Sequence, residues 1–89
     1  MVNDKGVKPM KYYVIEITKY NDGTKDAYGV YAKDSETEAV QLFHQKLASA
    51  MNSSKIAFEL CQVINDYGVV VKTEYFGLGE IGVVFDDIL

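Results

Sequence analysis

The chain has one cysteine, one histidine and one proline in 89 residues, and each scarcity excludes something. A single thiol, Cys61, cannot close a disulfide within the chain, and one Cys with one His is too few for a metal centre built on those ligands. Positive charge is short as well: 9 Lys and Arg stand against 13 Asp and Glu, for a net charge of -4. The basic residues are scattered rather than clustered, which argues against a surface that tracks phosphates. No stretch approaches the roughly 18 apolar residues of a membrane-spanning helix. The opening MVNDKGVKPM also lacks the apolar centre of a secretory signal. The composition therefore predicts a cytoplasmic protein in a reducing compartment, with no metal, no cofactor, no nucleic acid and no membrane among its partners.

What is present is an ordinary globular composition, 48% hydrophobic and 25% charged, with 7 tyrosines. A chain of this length makes one domain that buries only roughly 60 to 65% of its unfolded surface, so its core is thin. Residues 1–9 are polar, contain Gly6 and Pro9 and follow neither helical nor strand periodicity, and they read as a flexible arm. Met10 stands directly before the first strand pattern and is an alternative start, which would make the preceding residues an upstream extension.

From Lys11 the residues alternate. Tyr13, Ile15 and Ile17 share one face; Tyr12, Val14, Glu16 and Thr18 share the other. Asp22-Gly23 predicts a two-residue hairpin turn, which sets Ile17 opposite Tyr28, Ile15 opposite Val30 and Tyr13 opposite Ala32. Ser35 followed by Glu38 is a capping box, and Ala39, Val40, Phe43, Leu47, Ala50 and Met51 form the apolar stripe of a helix that ends near Asn52. A second alternating run, KIAFELCQVI, turns at NDYG into VVVKTEYF. Pairing Ile64 with Val69 aligns Leu60 with Thr73 and Phe58 with Tyr75. Residues 77–89 form a tail in which Ile81 to Phe85 could act as a short fifth strand or a clasp.

These elements predict an α+β domain over residues 10–76, in the order ββαββ, with one four-stranded antiparallel sheet of order 2-1-3-4 and one helix on one face. That order lets the helical crossover from the second strand to the third pass over the first in the right-handed sense. With Tyr13, Ile15, Ile17, Ile56, Phe58 and Leu60 under the helix, the other face receives Tyr12, Val14, Tyr31, Cys61, Val63, Val70 and Phe76. So apolar a face predicts an interface, carried by Tyr12, Val14, Tyr31, Val63, Val70 and Phe76 and covered by the tail or by a second copy.

His44 lies at the edge of the helical stripe, where a boundary histidine bonded to backbone or tyrosine is the plain structural expectation. Its functional alternative is a small hydrolase or transferase using His44, with an acid contributed across a dimer. Cys61 is expected on the opposite sheet face and so does not pair with it. Asp22 with Asp26, and Asp86 with Asp87, sit beside turns or a chain end, where solvated acids are ordinary. GLGEIG lacks the spacing and the following helix of a phosphate loop. The tyrosines Tyr12, Tyr13, Tyr20, Tyr28, Tyr31 and Tyr75 could stack bases, but the flanking cations of a nucleic-acid reader are missing. No residue is assigned a catalytic or metal-binding role.

The segments MKYYVIEI, DGT and EAVQLFHQKLASA resemble small proteins from phages and prophages of Gram-positive bacteria. Those open on an M-K-Y-x-V-x-E-I strand, turn on Asp-Gly-Thr and carry an E-A-x-x-x-[FY]-H-x-x-[LM]-A-x-A helix. The likeness runs from Met10 to Phe76 and touches Glu38, Ala39, Phe43, His44, Leu47, Ala48 and Ala50. It implies no particular activity. It favours a non-enzymatic accessory or structural-region protein that binds an unidentified protein partner, and together with the apolar face it predicts a self-associating interaction module, a homodimer being the simplest form.

Overall fold

A computed structural model describes residues 9–77. The arm and the tail expected before and after the domain therefore lie, apart from Pro9 and Gly77, outside the described residues. Four strands and one helix follow in the predicted order: β1 (Tyr12–Tyr20), β2 (Ala27–Lys33), α1 (Glu36–Met51), β3 (Ile56–Asn65) and β4 (Val70–Gly77). The strands form one antiparallel sheet in the order β2-β1-β3-β4. The fold is thus the α+β, ββαββ arrangement with the 2-1-3-4 order.

The first hairpin keeps the expected register, with Tyr13 opposite Ala32, Ile15 opposite Val30 and Ile17 opposite Tyr28. Its connection is wider than a two-residue turn, because the β1–β2 ladder stops at Thr18 and Ala27. Asp22 bends the loop by accepting the Thr24 N–H at 3.0 Å, and Gly23 supplies the left-handed backbone with φ 89°. In the second hairpin the ladder is shifted by two residues from expectation, so that Leu60 faces Tyr75 and Phe58 faces Gly77. The cause is local: the Asn65 carboxamide oxygen accepts from the N–H groups of Tyr67 and Val69, and Ile64 then pairs with Val70 and Val63 with Lys72. Val71 is left as a bulge residue. Beyond the bulge the shift of two preserves which side chains share a face, whereas Val70, before it, is shifted by one and moves to the face of Ile64.

Ser35 caps α1, its hydroxyl accepting the Glu38 N–H at 3.2 Å, and Asn52 ends the helix. Ala39, Phe43, Leu47 and Ala50 are the buried residues of the helix. Met51, expected in the stripe, is exposed.

The helix covers the sheet face opposite to the expected one. Ala39, Phe43 and Leu47 pack on Val14, Cys61 and Val63, with Tyr12, Tyr31 and Phe76 against the same cluster. Of the six residues assigned to an interface, Val14 and Val63 are core, and Tyr12, Tyr31 and Phe76 are partly buried beside them. Val70 alone lies on the uncovered side, opposite Ile64. Both faces are apolar enough to accept a helix, so alternation cannot choose between them. Chirality does: a right-handed crossover places the helix on one side, and the hydrogen-bonding phase of each strand decides which side chains point there.

Candidate functional site

Two features stand out on this scaffold: the sheet face away from the helix, and a polar cluster enclosed beneath it. The uncovered face follows from the strand registers. It presents Ile15 and Ile17 from β1, Tyr28 and Val30 from β2, Leu60, Gln62 and Ile64 from β3, and Val70 and Thr73 from β4. Tyr28 is 72% exposed, Val30 68% and Val70 51%. Phe58 and Tyr75 stack at one end of this face with ring centroids 6.1 Å apart. At its edges the charges are engaged: Lys19 pairs with Asp26 at 3.0 Å, and Asp66 accepts the Tyr13 hydroxyl at 2.6 Å.

The polar cluster lies on the helix side. Strand pairing places Glu16 opposite Cys61 and Thr18 opposite Glu59, so two acids, a hydroxyl and a thiol converge from adjacent strands. Glu59 is fully buried. The Thr18 hydroxyl donates to one of its carboxyl oxygens at 2.5 Å, and the Cys61 thiol contacts the other at 3.4 Å. One carboxyl oxygen from each acid and the Cys61 sulfur lie within 4.8 Å of one another. Burial pushes the Glu59 carboxyl up to about 7, and a hydrogen bond from its protonated form to Glu16 adds to the rise. Burial and the neighbouring Glu59 push the Cys61 thiol up to about 12, which makes it an inert packing thiol at neutral pH.

From α1, Lys46 reaches the rim of the cluster. Its ammonium sits 3.4 Å from Glu16, donates to the Tyr31 hydroxyl at 3.2 Å and lies 4.3 Å from the Tyr31 ring centroid. The Tyr31 hydroxyl in turn donates to Glu16 at 3.3 Å. The hydrogen bond to Tyr31 holds the Lys46 ammonium above its ordinary range, with burial opposing and the Glu16 charge assisting. A gap of about 310 Å³ lined by Glu16, Thr18, Tyr20, Lys46 and Ser49, among others, opens beside the cluster. Lys46 supplies positive charge beside Glu16, and the two acids lie close enough to share a proton.

His44 is exposed and meets Phe43 edge-on at 5.3 Å. It borders a groove of about 460 Å³ between α1 and β4 with Leu47, Met51 and Glu74. Among the described residues it forms no hydrogen bond, and the groove brings it near the Glu74 carboxylate and Tyr75. Cys61, expected across the sheet from the helix, lies beneath it, yet its polar contact is Glu59 and not His44. The acid cluster was missed in the sequence because Glu16 and Thr18 fell on the sheet face expected to be an apolar interface, away from the helix. The available signal was their phase with Val14, together with Glu59 in phase with Cys61 and Val63.

No family model matches the chain, and neither does any curated protein or solved structure. Among the described residues, no helix is long and apolar enough to cross a membrane.

Proposed function

We propose that this protein is a non-enzymatic interaction module that self-associates, two copies meeting through the sheet face that α1 leaves uncovered. The observation that carries this reading is the two-sided apolar sheet with one helix among the described residues to cover it: Ile15, Ile17, Tyr28, Val30, Leu60, Ile64 and Val70 form the second face. Four strands about 4.8 Å apart and eight residues of about 3.3 Å give a face of about 19 by about 26 Å. With side-chain relief this approaches the ~800 Å² per partner of a standard interface. A second copy is the fitting occupant because the face carries almost no charge; two such faces meet without repulsion, whereas a charged partner would leave its charges desolvated and unpaired. The motif resemblance supports a phage or prophage accessory protein working in the host cytoplasm, where its lone cysteine stays reduced.

Sedimentation velocity at micromolar concentration tests this. The expected mass is twice the 10.0 kDa of the chain, and Val30→Glu or Val70→Glu should return it to the monomer with an unchanged circular dichroism spectrum. A wild-type monomer overturns the reading, and an undisturbed dimer in both variants removes this face from the contact.

A further inference from the structure

We propose that Glu16 and Glu59 hold one proton between them beneath α1 and form a proton-sensitive latch on the contact between helix and sheet. This goes beyond the interaction reading and concerns the opposite side of the sheet.

The geometry supports it from several directions. Two carboxyl groups this close cannot both ionise in a buried site without a matching positive charge. One ammonium is present, Lys46, and it sits on Glu16. Glu59 receives hydrogen bonds from Thr18 and Cys61 but no cation among the described residues. One charge is therefore compensated and the other is removed by protonation. Among the described residues no second cation pairs with the two acids: β2 contributes the Tyr31 phenol, β1 the Tyr20 phenol at the gap, α1 Lys46 and Ser49, and β4 the acidic Glu74 opposite Cys61 and Lys72 opposite Val63, whose ammonium lies over the Phe43 ring at 5.9 Å. When the proton leaves, an uncompensated carboxylate lies in the layer where Phe43 and Leu47 meet Val14 and Cys61. The gap beside Lys46 is lined by Glu16 and Thr18 and stops short of Glu59, which is fully buried. Hydration of that charge requires the helix to loosen.

The sign of the effect is fixed by linkage. The folded chain keeps this proton up to about 7, whereas the unfolded chain releases it near the ordinary 4.5. The contribution to stability is therefore full on the acid side, declines as pH rises between those values, and is level above them.

The experiment uses the full chain. Carboxyl carbon NMR of the wild type should show Glu59 titrating near neutrality, and Glu16→Gln should move that titration to lower pH. The urea midpoint of the wild type should fall from about pH 5 to about pH 8, with lower amide protection in α1 relative to the intrinsic exchange rate, while Glu59→Gln should abolish the slope. Titration of Glu59 in the ordinary carboxyl range overturns the proposal, as does an identical slope in wild type and Glu59→Gln. A Glu59 titration unmoved by Glu16→Gln overturns the shared proton. Should Glu59→Gln fail to fold, the wild-type titration and the Glu16→Gln shift decide.

Discussion

Gly29 shows how tightly the polar cluster is organised by a residue with no side chain. It sits opposite Glu16, and a methyl group built on it would come within 2.6 Å of the Tyr31 hydroxyl. The Tyr31 ring thus lies across Gly29 to reach Glu16 and Lys46. Gly29→Ala should push the ring aside, break both hydroxyl contacts and cost about 1 to 3 kcal/mol by chemical denaturation. A neutral effect would show that Tyr31 is not held there. The same reasoning explains why the cluster was illegible in one dimension: Glu16 and Glu59 are far apart in sequence, and an acid in an alternating strand reads as solvent-facing until its cross-strand neighbours are known. For Glu59 the displacement from its ordinary value corresponds to a stability change on the order of 3 kcal/mol across the acidic to neutral range.

Among the elements, α1 was the most legible. Its cap, its C-terminal limit and four of its six stripe residues agree with the sequence expectation. Ser35→Ala should destabilise the chain by about 1 kcal/mol, measured as a lowered urea midpoint at constant slope, because the Glu38 N–H loses its acceptor. No change would mean that water replaces the hydroxyl without loss. The hairpins were legible to different degrees. The first kept its register because Tyr13, Ile15 and Ile17 match Ala32, Val30 and Tyr28 on one face. The second slipped by two because the Asn65 side chain, a capping group within the turn, sets where pairing begins.

At the scale of the molecule, the described residues place one helix on a sheet with two apolar sides. That inequality survives the exchange of faces, since it depends on how many apolar side chains alternate and not on which set the helix meets. Self-association makes unfolding depend on mass action: the melting temperature of the wild type should rise with protein concentration, while that of Val30→Glu should not. A wild-type melting temperature independent of concentration would contradict an interface on this face. The proposed proton release at the Glu16–Glu59 pair and the proposed self-contact lie on opposite sides of the sheet, so Glu59→Gln and Val30→Glu should be separable in their effects.

Element order, strand alternation, the helical cap and the first hairpin register were all set by short-range pattern, because periods of two and 3.6 residues and a few turn residues suffice to encode them. Pattern is blind to which way a strand is turned. The covered face, the burial of Val14 and Val63, and the meeting of Glu16 with Glu59 came from three-dimensional packing, where the hand of the crossover and the pairing of β1 with β3 bring distant residues onto one side.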